Sequence, residues 1–516
     1  MIGRLALAAL AIFATGCGGT QTGGNGNAGD ALAYLPADAA TVVFVSTNVD
    51  GDQWDAVDEH VYRPAEAESD SPKTLGGFFE QTARRVGLDW EDDVKPLLGN
   101  DIAVAVEGDP LELFGGGGDS TITAALDTAG GDIEKVLEKA NFKQAGDANG
   151  ATLYSGPEDE AIRLAVEDGV LVFGEDEQAV RRAVQRRDSG DGIDESAVDD
   201  GLSGLPEDAL VRGYGSLDAL KEQDEIRRFT GLPLVEALET WGLAVGFHGD
   251  ELHADLAVRL DESKVDEGDL PLVTGEESPE VVIREGELSG GNRNQSQTTA
   301  FLLRALRMGY PDSRFVKAAD AIEQQLGIDF EQEILRQFNG PSASYVSPDG
   351  EIFAARSEVR DPDALREVLP KIAPHLPALI EGLQGLQSEG MGLLFLFAPD
   401  APAAAPMSDV TVEPPATKDG FYRVSGLTGA GPSELYFGLV DDVFVVASDE
   451  QRAREIATAD TRAVDGAKGA GVLRADLTRL TEEAFRLPLP LAGKELVASL
   501  EAGTKELRAR LRVELD

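Results

Sequence analysis

Leu252-His253-Ala254-Asp255-Leu256-Ala257-Val258-Arg259-Leu260 and, at the carboxyl end, Leu507-Arg508-Ala509-Arg510-Leu511-Arg512-Val513-Glu514-Leu515 decide the fold. Leu252, Ala254, Leu256, Val258 and Leu260 share one side of the first stretch, as do Leu507, Ala509, Leu511, Val513 and Leu515 of the second. Asp255, Arg259, Arg508, Arg510, Arg512 and Glu514 share the other. Successive side chains of a strand point to opposite faces, so this alternation predicts antiparallel sheet with an apolar face on a core and a charged face in water. Helices are expected to cover the apolar face.

Working outward, other segments also recur in the same order. Ile162 to Phe173 is two apolar-rich runs around Asp168-Gly169, a tight-hairpin signal, and Leu435 to Val446 repeats it around Asp441-Asp442. Each hairpin runs into Asp-Glu-Gln, at Asp176-Glu177-Gln178 and Asp449-Glu450-Gln451, where a short helix is expected to open. Val86-Gly87-Leu88-Asp89-Trp90-Glu91-Asp92-Asp93-Val94 aligns without a gap on Leu326-Gly327-Ile328-Asp329-Phe330-Glu331-Gln332-Glu333-Ile334. Asp89 and Asp329 read as helix N-caps, and Gln332 completes a capping-box pattern. Strand-like Ile102 to Val106 and Ala343 to Val346 follow the turn signals Gly99-Asn100 and Asn339-Gly340. Ile122 to Leu126 with a helix from about Asp132 to Ala140 corresponds to Ile352 to Ala355 with a helix from about Pro362 to Ile372.

The predicted fold class is therefore α+β: two tandem homologous domains, each an antiparallel sheet with helices packed on one face. Residues 31–262 form the first repeat, 263–278 a linker, and 279–516 the second repeat, with an apolar and Ala/Pro-rich insertion near 376–415. Leu32 to Val45, then Gly87-Leu88-Asp89-Trp90-Glu91-Asp92-Asp93 and Leu97-Leu98-Gly99, resemble the actinobacterial family called domain of unknown function 3352. The resemblance implies an exported location and this architecture from about Ala31 onward. It brings no activity, catalytic residue or ligand to carry over.

The amino terminus sets the expected compartment. Arg4 precedes the apolar run Leu5 to Phe13, which is followed by Ala14-Thr15-Gly16-Cys17. The run is too short for a bilayer core of about 30 Å, which needs about 20 residues, and suits a signal peptide. Small residues before a cysteine match a lipobox, although Ala14 stands where Leu is usual. Residues 1–17 thus read as a lipoprotein signal with Cys17 as the lipidated residue, palmitate among the expected acyl groups, and 18–30 as a flexible Gly-rich tether. Cys17 is the one cysteine of the chain, which excludes an intramolecular disulfide or a multi-thiolate metal site. The expected location is the outer face of the cell membrane, held by acyl chains.

With 45 Lys and Arg against 94 Asp and Glu, the formal charge of −49 repels phosphate backbones and argues against nucleic-acid binding. His60, His248, His253 and His375 show no zinc spacing, and no nucleophile elbow or phosphate loop occurs. Gly115 to Gly118 lacks the Lys-Ser/Thr of such a loop. Asp188 to Glu195 is rich in carboxylates, but a calcium-loop alignment puts Arg187 and Val198 where ligands belong, so a solvated acidic loop is expected. Catalytic, cofactor and metal residues are expected to be none, and the protein not to be an enzyme. The expected role is a non-catalytic binding or scaffold protein of the envelope, with an envelope protein or an apolar ligand as partner. The alternatives are a carrier of lipid or another apolar ligand, and a hydrolase whose site is invisible in sequence. Gly390 to Pro399 is an unmatched apolar segment and a candidate partner-binding or lipid-facing element.

Overall fold

A run that is apolar at every position lies in the middle of the first half. Ile102-Ala103-Val104-Ala105-Val106 packs its odd members with the helix Glu177–Ser189, through Val180, Ala183 and Val184. Its even members Ile102 and Val104 pack with Phe79, Trp90 and Leu137 on the opposite side. The expectation of helices on one face is corrected: both faces are covered, because a strand without polar alternation must be buried twice. In the computed structural model the described residues are 28–39, 41–63, 72–107, 121–128, 131–156, 161–284, 288–388, 410–417, 420–427, 432–477 and 493–515.

The first half contributes β1 (Thr41–Val45), β2 (Ile102–Glu107), β3 (Thr121–Asp127), β4 (Lys143–Ala148), β5 (Ala151–Ser155), β6 (Ile162–Glu167), β7 (Val170–Gly174), β8 (Val211–Ser216), β9 (Leu238–His248) and β10 (Glu251–Leu260). Hydrogen-bonded neighbours run β4-β5-β6-β7-β3-β2-β1-β8-β9-β10, all antiparallel. The second half adds β11 (Glu280–Val281), β12 (Leu288–Asn292), β13 (Ser342–Val346), β14 (Phe353–Glu358), β15 (Thr411–Glu413), β16 (Tyr422–Ser425), β17 (Glu434–Val440), β18 (Val443–Ala447), β19 (Arg462–Ala463), β20 (Gly471–Asp476), β21 (Gly493–Ala502) and β22 (Glu506–Leu515). Apart from the small β11–β19 ribbon, its order is β15-β16-β17-β18-β14-β13-β12-β20-β21-β22. Pairing of β10 with β22, from Glu251–Glu514 to Arg259–Glu506, joins everything into one 20-stranded antiparallel sheet. The chain is thus an α+β protein built on a large antiparallel sheet.

Local chemistry explains the turns. Asp168 and Gly169 both take positive φ, +49° and +86°, as a two-residue hairpin demands. Asp441 alone does so in the second hairpin (+52°), since a second non-glycine residue would be strained there. Asp176 and Asp449 cap the helices Glu177–Ser189 and Glu450–Ala457 by accepting from Ala179 N and Arg452 N, at 2.7 and 2.8 Å.

Asp89 accepts from Asp92 N (3.1 Å) and Asp329 from Gln332 N (2.9 Å), as anticipated. The turns they open, Trp90–Val94 and Phe330–Ile334, are wide π-type turns rather than α-helix. This width moves the reciprocal acceptor from the third residue to the fourth. Asp93 and Glu333, not Gln332, accept from the backbone N–H of Asp89 and Asp329, at 2.6 and 3.0 Å.

Within residues 263–278, read as the linker, Leu270 is fully buried, and Gln297 Nε2 donates to the carbonyls of Glu267, Leu270 and Leu272 at 2.9, 3.1 and 2.9 Å. The span predicted as an insertion begins with the helix Leu376–Ser388 and ends in β15, the outermost strand of its half. Residues 389–409, including Gly390 to Pro399, lie outside the described residues.

Candidate functional site

The sequence-predicted lipidation residue Cys17, the tether through residue 27 and Gly115 to Gly118 also lie outside the described residues. Among the described residues no helix is long and apolar enough to cross a membrane, and no group of three His, Cys, Asp or Glu side chains could hold a metal ion. Three histidines nevertheless lie near the β9–β10 turn. His60 stacks on Phe247 with ring centroids 6.2 Å apart, His248 meets His253 edge-on at 4.7 Å, and His253 Nε2 lies 2.9 Å from Glu251. No spacing rule could pair residue 60 with residues 248 to 253, because only the sheet brings them together. His375 stands apart, half-buried in a short 3₁₀ turn.

The carboxylate-rich stretch Asp188 to Glu195 serves local structure. Gly190 ends a helix at φ +75°, and a side chain at Gly192 would come within 2.4 Å of Ala33 O, so glycine is needed for that close approach. Ile193 N donates to Leu32 O (3.2 Å), and Asp194 caps the helix Glu195–Leu202 through Ser196 N (2.9 Å).

Nearby, fully buried Tyr34 donates its hydroxyl to Glu167 Oε2 (3.0 Å). Arg187 bridges Glu167 and Asp168 at 2.7 and 2.6 Å and lies over the Tyr34 ring. Burial, and then the charge of Glu167, hold the Tyr34 hydroxyl far above the usual phenol range. It is a fixed neutral donor that clasps the residues before β1 to the β6–β7 hairpin.

The seam between β10 and β22 gathers charges of both signs. Arg510 reaches Asp255 (3.1 Å) and Glu501, while Glu506 takes Arg508 (2.7 Å) and Arg259. Arg512 lies 3.6 Å from Glu251 and 3.7 Å from Glu495. The carbonyls of Ser203 and Asp465 accept from Arg259 and Arg512, so loops close over this face. In the middle of the seam the expected exposure is reversed, with Asp255 on the charged face 9% exposed and Leu256 on the apolar face 37%, whereas Leu260, Val513 and Leu515 of the apolar face are buried as expected. Paired charges can be covered at moderate cost, because each finds a partner. On the apolar face, clusters cover Val258, Leu500 and Leu507 at one end and Leu252, Ala498 and Leu511 at the other. Ala254, Leu256 and Ala509 lie in the gap between them.

Among the described residues of the second half are two hollows. A depression of about 500 Å³ runs along one face of the helix Glu450–Ala457, between Glu450, Arg454 and Thr458. The other is a cleft of about 270 Å³ between helix and sheet. The sheet wall carries Ser342, Ser344, Ser357, Phe444 and Val446, and the facing helical wall Gln295, Thr299, Leu335 and Phe338. Clustered hydroxyls beside apolar side chains in one hollow are what a small-molecule site requires, and no sequence motif marks them.

In sequence, no curated protein matches the chain. Among solved structures it is similar to crystal form III of TP0453 at 11% identity and a TM-score of 0.25, covering 46% of this chain and 82% of that one. Crystal form IV of TP0453 gives 12% identity and a TM-score of 0.24, over 45% and 80%. Scores this low do not define a shared fold. Residues 1–192 match the model of the family described as Protein of unknown function (DUF3352).

Proposed function

We propose that this protein is an exported lipoprotein held on the outer face of the cell membrane by acyl chains on Cys17, and that its two halves are copies of one unit. Together they act as a non-catalytic binding scaffold of the cell envelope. The matching strand orders of the halves support the duplication. The observation that carries the scaffold reading is the seam, where β10 and β22 pair along their whole length and turn two sheets into one continuous platform. Such a platform suits presentation of a surface to a partner. Replacing Cys17 with Ala is expected to move the protein from the membrane fraction to the soluble one, and continued detergent-dependent membrane association would refute the anchor.

The half-exposed apolar gap at Leu256 favours a second reading, a carrier of lipid or another apolar ligand. Mass spectrometry of organic extracts from the purified native protein separates the two. Stoichiometric co-purified lipid beyond the anchor supports a carrier, and its absence supports the scaffold.

A further inference from the structure

The second-half cleft lies where the first half has a packed core. The strand registers align the two halves rung by rung. In the first half, one rung crosses the sheet as Val45, Ile102, Leu126 and Leu171, and the next on that face as Val43, Val104, Ala124 and Phe173. The corresponding rungs of the second half are Asn292, Ser342, Ser357 and Phe444, then Gly290, Ser344, Ala355 and Val446. Val43, Val45, Ile102, Val104 and Leu126 have thus given way to Gly290, Asn292, Ser342, Ser344 and Ser357.

The consequence for packing is direct. In the first half Ile102, Leu126 and Leu171 share one cluster with Trp54, Phe79 and Trp90, whose rings meet at 6.5 and 5.3 Å, so sheet and helices are a single core. In the second half the helical cluster around Ile322, Phe330 and Ile334 contains no buried strand residue. The cleft is the space between that cluster and the sheet.

Interiors pack to the density of organic crystals, and buried hydroxyls normally find good partners. The three serines do neither. Ser342 Oγ is 3.4 Å from Gln295 Oε1 and 3.5 Å from Asn292 O, and Ser357 Oγ is 3.5 Å from Glu358 O, all long for an O–H···O bond. Ser344, only 3% exposed, has no side-chain hydrogen-bond partner among the described residues. Hydroxyls held only by long bonds, or by none, along one edge of an apolar hollow are a recognition surface.

We propose that this cleft binds a small uncharged molecule with an apolar body and carbonyl or hydroxyl groups along one edge. The apolar body meets Phe338, Phe444 and Val446, and the polar edge meets Ser342, Ser344 and Ser357. A charged ligand finds no counter-ion. Arg356 lines the cleft through its backbone side only, because it alternates with Ala355 and Ser357 on β14 and sends its guanidinium to the other face, where it donates to Ala459 O (3.1 Å), and a net charge of −49 repels anions. The inference stands apart from the anchor and scaffold readings, since it concerns a site inside one half.

The test uses the full-length chain carrying Cys17→Ala, which needs no detergent, and the neutral naphthalene ketone 6-propionyl-2-dimethylaminonaphthalene, whose emission shifts to the blue in an apolar site. Saturable one-to-one binding is expected. Restoring the first half's residues with Ser342→Ile, Ser344→Val and Ser357→Leu together should remove it, and Ser344→Val alone should weaken it by about fivefold or more, a single hydrogen bond's worth. The single variant keeps the test decisive if the triple variant fails to fold. The anionic 8-anilino-1-naphthalenesulfonate should not compete. No saturable binding of the ketone, unaltered binding by both variants, or equal binding of the anion at the same site would overturn the proposal.

Discussion

Asp89 and Asp329 each hold the first turn after a glycine, and the loss of either cap should be felt in its own half. Asp89→Ala and Asp329→Ala are expected to cost about 1 kcal/mol each in denaturant melts, with Asn largely restoring the loss. The capping aspartates were legible in sequence because a cap is a local pattern. Their reciprocal partners Asp93 and Glu333 were not, since only the width of the π turn places a residue four positions on against the cap. Asp93 adds a pH signature. Burial raises its carboxyl's pKa, but the Lys139 ammonium and the Asp89 N–H outweigh it and hold it below the usual carboxylate value. A carboxylate depressed in the folded state stabilises above its unfolded value of about 4, and this contribution fades as pH falls through the folded value. Asp93→Asn should therefore lower stability at pH 7 by about 1–3 kcal/mol and flatten the acid limb of the stability curve below about pH 4. An acid limb unchanged in slope would exclude this role for Asp93.

At the scale of elements, the alternating strands β10 and β22 were visible in the sequence, and so were the hairpins around Asp168 and Asp441. Their partners were not. A period of two reveals a strand but not its neighbour, so the β3–β7 and β10–β22 pairings depend on contacts far apart in the chain. The helices on both faces were in principle readable from Ile102 to Val106, whose uninterrupted apolar run requires two covers. The cleft was not readable, because Ser342, Ser344 and Ser357 gain meaning only when the registers set them beside Ile102, Val104 and Leu126. The seam makes its own prediction. Arg510→Ala leaves Asp255 and Glu501 without their shared cation in a partly covered layer, and should cost about 2 kcal/mol, between the values for exposed and fully buried pairs. A change below a few tenths of a kcal/mol would show that the seam charges are solvated.

For the whole molecule, the seam also decides which halves can meet. The residue of β22 equivalent to Asp255 is Arg510, and the two stand directly opposite each other. If either half paired with a copy of itself in this register, Asp would face Asp or Arg would face Arg, and like charges directly opposite destabilise a strand pair. Residues 28–262 and 263–515 produced as separate chains should therefore associate with one another in preference to forming homodimers. Sedimentation of the mixture against each half alone measures this, and homodimers as stable as the mixed pair would contradict it. The cleft has a different consequence, one of timing. In the first half the helix Leu75–Arg85 is fastened to the strands through Phe79 and the tryptophans, whereas the helix Arg314–Leu326 belongs to a cluster that holds no strand residue and meets the sheet through Phe338 and Leu376. That second helix can open without carrying strands with it, so its amide hydrogens should exchange with deuterium sooner than those of Leu75–Arg85. An occupant that bridges the gap would slow them.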